Sequence, residues 1–158
     1  PSSDSVENDR YVIFNYRENT WSIGRLARTA GADSFVFSYP NYVSPDGYVF
    51  EHEAGYAYDS GDEVFAETGP IQLGNGDRLA VARHLISDET SAGAVTATFK
   101  TRNYPTATES THGPFTLTRT PTSVRFQGRQ IQMRVTGSAP ESWRVGTMRL
   151  DVVEGSAR

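Results

Sequence analysis

The 158-residue sequence predicts an all-β protein. Helical periodicity is nearly absent, short segments alternate apolar and polar residues as half-buried strands do, and turn-forming residues separate these segments. The best helical candidate, DRLAVARHLI at 77–86, places one set of residues on one face of a strand: Leu79, Val81, Arg83 and Leu85. Its helical stripe is the poorer of the two and consists of Leu79, Ala82, Arg83 and Ile86. We therefore interpret it as a strand that follows a turn at 74–77.

The first half of the chain predicts one hairpin and a few further short strands. Two aromatic-rich segments flank a polar turn at 17–20, and Pro45-Asp46-Gly47 is a strong turn signal before another strand. These strands are too few to enclose a core by themselves. We therefore expect them either to pack on the second half or to complete a propeller blade that begins upstream. The predicted strands are 11–16, 21–26, 48–53 and a connecting segment at 64–67.

The second half predicts an antiparallel β-sandwich over about residues 71–154. Residues 95–102 alternate cleanly, with Val95, Ala97 and Phe99 on one face. The short strands that follow have the spacing of a sandwich. They are 115–118, a hairpin of 124–126 and 131–135 around Gly128-Arg129, and a last strand at 143–152 with a bulge at Gly146-Thr147. We accordingly expect two domains, 1–70 and 71–158.

Composition excludes several functional classes. The chain has no cysteine, which excludes disulfide frameworks, zinc knuckles and thiol catalysis. It contains no run of about eighteen apolar residues, so we expect no membrane segment. The chain begins without Met, and we expect a processed or truncated part of a longer protein.

Charge is distributed unevenly along the chain. Residues 1–70 hold twelve acidic and four basic residues, a net charge of −8, whereas residues 71–158 hold seven acidic and eleven basic residues, a net charge of +4. Opposite charge would allow attraction between the halves, within one chain or between neighbours in a ring, but the interpretation we favour is that of ordinary solvated sheet faces. A net acidic chain is not typical of a general nucleic-acid binder. Lys100 is the only lysine, so arginine, which suits planar pairing at interfaces, supplies nearly all the positive charge.

Three sets of polar residues are candidates for chemistry. Glu51 and Glu53 flank His52 on one predicted strand, where alternation places the carboxylates on one face, about 6–7 Å apart, the spacing of an inverting glycosidase pair. Asp59-Ser60-Gly61-Asp62-Glu63 offers oxygen ligands for calcium but lacks the EF-hand pattern. The three histidines, at 52, 84 and 112, have no metal-binding spacing, and His112 precedes a predicted turn. For each set we favour an ordinary solvated or structural role, so we predict no catalytic, cofactor-binding or metal-binding residue and no enzyme activity.

The segment FNYRENTWS at 14–22 resembles the hairpin of a kelch-like propeller blade, in which the Trp packs between blades. The longer order of segments resembles the C-terminal region of the nozzle or tail-tube proteins of short-tailed bacteriophages, which are also called packaged-DNA stabilisation proteins. The segments of this order are NYRENTWSIGRLARTAG (15–31), DGYVFEHEAG (46–55), GNGDRLAVARHLISD (74–88), FKTRNYP (99–105), HGPFTLT (112–118), GRQIQMRV (128–135) and WRVGTMRLDV (143–152).

This resemblance implies a fold, a location and partners. It implies a kelch-like propeller-blade segment, incomplete within residues 1–70, followed by a β-sandwich. It also implies a virion tail component, assembled in the host bacterial cytoplasm, that forms a homo-oligomeric ring, expected to be a hexamer, below the portal and adaptor and beside fibres or spikes. Packaged DNA would be retained by the ring and pass through its channel without sequence-specific binding.

Two other functions stay open on the residues alone. A carbohydrate-binding β-sandwich module is favoured by the aromatic content and the strand count. A tail-associated glycan depolymerase would use Glu51 and Glu53. If Trp21 is buried between blades, its removal is expected to cost about 3–5 kcal/mol.

Overall fold

A computed structural model describes residues 2–56, 63–73, 78–88, 95–137, 142 and 144–155. The fold is all-β, as predicted: the described residues contain no helix, and their strands form several sheets, none of which is closed. No helix within these ranges is long and apolar enough to cross a membrane. The strands are β1 (Arg10–Asn15), β2 (Thr20–Arg25), β3 (Ala30–Ala32), β4 (Asn41–Val43), β5 (Val49–Glu51), β6 (Val64–Glu67), β7 (Ile71–Gln72), β8 (Ala80–Ile86), β9 (Thr96–Arg102), β10 (Ser110–Thr116), β11 (Thr122–Gly128), β12 (Gln130–Gly137) and β13 (Arg149–Glu154).

The chain divides into two compact units, Pro1–Asp62 and Glu63–Arg158. This division falls earlier in the chain than the predicted boundary between residues 70 and 71. The reason is that β6 and β7 both pair with β12 and so belong to a sheet of the second unit.

The first unit begins with the predicted hairpin of β1 and β2. Asn15 initiates the turn, because its side-chain Oδ1 accepts hydrogen bonds from the backbone N–H groups of Arg17 and Glu18 at 3.1 and 3.3 Å. Asn19 completes the turn in the left-handed region, at φ 54°, which asparagine tolerates better than most residues. The strands pair from Arg10 opposite Arg25 to Asn15 opposite Thr20.

A second, three-stranded sheet of order β3-β4-β5 completes the described part of the first unit. The predicted turn at Pro45-Asp46-Gly47 is present: the N–H of Gly47 donates to the carbonyl of Ser44 at 2.9 Å, and Gly47 has φ 84°. This turn joins β4 to β5 and is closed by the buried Ser44, which donates its N–H to the carbonyl of Tyr48.

The second unit contains a five-stranded sheet, with β10-β9-β12-β6 in order and β7 also on β12, and a three-stranded sheet of order β11-β8-β13. Both sheets contribute to one hydrophobic cluster, centred on Phe99 of β9 and Phe126 of β11, whose rings lie 4.6 Å apart. The predicted alternation of β9 is confirmed, since Val95, Ala97 and Phe99 are fully buried.

The predicted hairpin around Gly128-Arg129 is wrong. β11 pairs with β8, whereas β12 pairs with β9, β6 and β7, so the chain passes from one sheet to the other at this corner. Gly128 makes the corner possible, because a Cβ at that position would lie 2.9 Å from Cβ of Thr101. A tight turn between two apolar segments has the same sequence pattern whether it joins neighbouring strands or opposite sheets.

The segment 80–86 is a strand, as predicted, but the face it buries agrees with the prediction only at Leu85, which is in the core. Ala80 and Ala82 are buried, and Val81 is only half-buried. Ala82 pairs with Phe126 across the sheet, and both residues belong to the hydrophobic cluster.

Two further predictions meet the structure only in part. The last strand begins at Arg149, and its register irregularity lies between Asp151 and Val152, not at Gly146-Thr147. His112 lies within β10, not in a turn, and the register of β10 shifts just after it. Trp143 and the turn at 74–77 lie outside the described residues.

Candidate functional site

The predicted carboxylate pair is not held on one strand. β5 ends at Glu51, and Glu53 has φ 60°, a left-handed conformation that breaks the alternation of side chains. The geometric basis for a glycosidase pair is therefore lost.

His52, between these carboxylates, belongs to a small structural cluster. The Nε of Arg28 donates a hydrogen bond to Nε2 of His52 at 3.1 Å, so the imidazole is neutral and carries its proton on Nδ1. The ring of His52 packs on Tyr42 with 4.6 Å between centroids, and the Arg28 guanidinium lies 4.6 Å from the ring centre of Phe50. Burial, and next the positive charge of Arg28, lower the pKa of His52 below its ordinary value of 6.5, against a smaller opposing effect of Glu53.

The other two histidines have separate partners in the second unit. Nδ1 of His84 lies 3.4 Å from a carboxylate oxygen of Asp151. His112 forms a hydrogen bond of 3.0 Å between its Nε2 and the hydroxyl of Thr101, and its ring stacks on Phe126. Among the described residues no three histidines or carboxylates are grouped as metal ligands. Most of the predicted calcium loop, 59–62, lies outside the described residues, and Glu63 pairs with Arg134 at 3.4 Å.

Several arginines of the second unit cover aromatic rings. The guanidinium of Arg134 lies 3.7 Å from the ring centre of Phe65, and that of Arg129 lies 4.9 Å from the ring centre of Tyr104. Phe65 and Tyr104 are the only exposed aromatic residues in the described part of this unit. The described face of this unit therefore does not present the uncovered row of rings that stacking on sugars requires.

One face of the β1–β2 hairpin carries a row of exposed apolar side chains. Because cross-strand partners share a face, Val12 lies beside Ile23 and Phe14 beside Trp21. The rings of Phe14 and Trp21 lie 4.5 Å apart, and these four side chains are 45–69% exposed. We call these four residues the hairpin ladder.

On the opposite face of the hairpin one aromatic ring covers a glycine, whereas Ile13 of that face is 55% exposed. The ring of Tyr11 lies over Gly24, its cross-strand partner, where a side chain would otherwise stand. Tyr42 covers Gly31 in the same way in the β3–β4 pair. An aromatic ring laid over a cross-strand glycine protects the exposed backbone of a thin sheet.

The sequence alone indicates an apolar hairpin but not this division into faces. Tyr11 and Trp21 are both aromatic, yet the register places Tyr11 over Gly24 on one face and Trp21 on the other. The sequence pattern does not single out the aliphatic pair Val12–Ile23 as part of this surface. The signal that locates it is the length of the turn at 15–20, which fixes the register.

No protein-family model matches the chain, and no curated protein is significantly similar to it. The candidate site is thus the hairpin ladder, defined by the structure alone.

Proposed function

We propose that this chain is a structural subunit of a homo-oligomeric ring in the tail of a short-tailed bacteriophage virion. The observation that carries the proposal is the hairpin ladder: four neighbouring apolar side chains that nothing described in the chain covers. Contiguous apolar surface of this kind marks sites of association between proteins.

The rest of the first unit supports the same conclusion. Within residues 2–56 no hydrophobic side chain is buried, and only the polar Ser44 is. A unit without its own core gains stability when a neighbour covers it, as a propeller blade does when its Trp packs on the next blade. We propose that residues 10–25 are such a blade hairpin and that the second unit is an appended β-sandwich, its two sheets enclosing the Phe99 cluster.

The charge of the chain supports a channel for DNA. The excess of carboxylates in residues 1–70 would repel phosphates, so a wall lined by them would let DNA pass without gripping it. Reversal of Glu18, Asp33 and Asp46 to Lys in assembled particles is expected to slow DNA ejection, measured by dye binding to released DNA. An unchanged ejection rate would contradict the channel role.

The ring is tested by the oligomeric state. Native mass spectrometry of the purified chain is expected to show one closed oligomer, expected to be a hexamer, and Trp21→Ala is expected to shift it to monomer. Phe35→Ala is the matched control, because Phe35 is also exposed, at 93%, but lies outside the ladder. A wild-type chain that stays monomeric at all concentrations would overturn the ring.

The tail location needs a second measurement. Antibody against this chain is expected to label virions at the tail, below the portal. Labelling of no virion component would overturn the virion role even if the ring exists.

A glycan-binding role is the second candidate, because Phe14 and Trp21 form an exposed stacked pair on which a sugar ring could also pack. Glycan-array binding that is lost in Trp21→Ala, by a wild-type monomer, would favour this function over the ring.

A further inference from the structure

The three-stranded sheet of the second unit contains two irregularities at the same place. Between the pairs Ser123–His84 and Phe126–Ala82, β11 has one residue more than β8, so Val124 and Arg125 together stand opposite Arg83. Between the pairs Asp151–His84 and Val152–Ala82, Arg83 is in turn the extra residue of β8. Arg83 and Arg125 therefore meet at a double bulge.

The backbone at Arg125 adopts a conformation that arginine does not favour. Its φ is 39°, in the left-handed region where glycine or asparagine is usual. Its neighbours Val124 and Phe126 are both buried in the core, which holds this residue in place. Unfavourable backbone geometry that is kept at a bulge is more typical of functional sites than of ordinary strands.

A depression of about 540 Å³ opens at this bulge. Its floor includes the buried Ala82 and Phe126, and its polar lining includes Arg83, Arg125 and Gln127. Neither Arg83 nor Arg125 has a hydrogen bond or an ion pair within the described residues, whereas Arg78, Arg102 and Arg134 of the same unit all do. The carboxylate facing this region from β13, Asp151, lies against His84.

We propose that Arg83 and Arg125 form a binding site for a phosphate group. Each guanidinium presents a planar fork of N–H donors that fits two oxygens, so two forks on one anion are suited to a group with more than two oxygens. A phosphate group has enough oxygens for both forks, and the amide of Gln127 supplies a further donor. The phosphate would be either a free phosphate or monoester, or a phosphodiester of a nucleic acid.

This site is independent of the ring, because it lies in the second unit and uses no residue of the hairpin ladder. The proposal is tested on the full chain with two probes at constant ionic strength: inorganic phosphate by calorimetry, and a fluorescent DNA oligonucleotide by anisotropy. Arg125→Gly suits the test because glycine accepts the left-handed φ, so the variant keeps the fold and loses only the guanidinium. Arg119→Gly is the matched control, since it removes the same charge from an exposed arginine that does not line the depression.

We expect wild-type protein and Arg119→Gly to bind equally, and Arg125→Gly and Arg83→Ala each to bind at least about tenfold more weakly, as loss of charge-assisted hydrogen bonds implies. Binding of inorganic phosphate identifies a free phosphate or monoester as sufficient, and binding of the oligonucleotide alone identifies a phosphodiester. The proposal is overturned if neither probe binds, if Arg125→Gly and Arg83→Ala bind like wild type, or if Arg119→Gly weakens binding as much as they do.

Discussion

The two units of this protein are built from similar strands but are stabilised in different ways. In the described part of the second unit, eleven hydrophobic side chains are buried, and all of them except Ala80 form one cluster shared by two sheets. In the described part of the first unit none is buried, and the sheets depend on backbone hydrogen bonds, on Tyr rings laid over glycines and on the Arg28–His52 contact. The second unit thus has a hydrophobic core of its own, whereas the described part of the first unit has none.

The largest expected difference between the units is the loss of stability when an aromatic ring is removed. Phe99 is fully buried against Phe126, so Phe99→Ala is expected to lower the free energy of unfolding by about 3–5 kcal/mol. Trp21 is 68% exposed and contacts Phe14, so Trp21→Ala in the monomeric chain is expected to lower it by no more than about 1 kcal/mol, the scale of one cross-strand pair. Urea denaturation followed by circular dichroism measures both, and equal losses would contradict the contrast between the units.

This expectation also revises the sequence-based one for Trp21. A cost of about 3–5 kcal/mol requires a buried ring. Within one chain that condition is not met, so such a cost is expected only where a neighbouring subunit covers the hairpin ladder.

A smaller effect is expected where tyrosines cover glycines in the first unit. A Cβ added at Gly31 would fall within the ring of Tyr42, so Gly31→Ala must displace that ring. We expect a loss of about 1 kcal/mol in the local stability of the β3–β4 pair, the scale of one cross-strand pair, measured by amide hydrogen exchange of Gly31 and Val43. Gly69→Ala is the control, because no atom lies within 4 Å of a Cβ there, and it is expected to leave exchange unchanged. Equal exchange in the two variants would show that the Tyr42 ring contributes nothing to the sheet.

The sequence predicts those features of the fold that depend on neighbouring residues, and it does not predict those that depend on pairing between distant strands. The strands β8 and β9, the β1–β2 hairpin and the turn at Gly47 follow from local alternation and turn chemistry, and all are present. The passage of the chain from one sheet to the other at Gly128 could not be predicted from the local sequence, because it depends on which distant strands pair with β12. The double bulge at Arg83 was missed for the same reason: it exists only in the registers of β8 with β11 and β13.

The candidate site shows the same limit. The sequence indicates the aromatic residues of the hairpin but not which face is covered, since that depends on the pairing of Tyr11 with Gly24. The expectation of paired carboxylates at Glu51 and Glu53 rested on a strand that continues, and the strand ends at Glu51. A blade segment stays a prediction that only an assembled structure can test.

The smallest expected effect is a pH dependence confined to the first unit. Because the pKa of His52 is lowered in the folded chain, the unfolded segment binds a proton more readily, and the neutral imidazole that accepts from Arg28 is lost on protonation. The stability of the β3-β4-β5 sheet is therefore expected to be full above pH 6.5 and to fall as the pH decreases from about 6.5 through the lowered pKa of the folded state, with no further loss below it. Amide exchange of β4 and β5, corrected for the intrinsic rate, measures this loss. In His52→Phe, which keeps a ring against Tyr42 but does not titrate, the dependence is expected to disappear. If the dependence persists in His52→Phe, another group causes it, and the Arg28–His52 contact is not what stabilises this sheet.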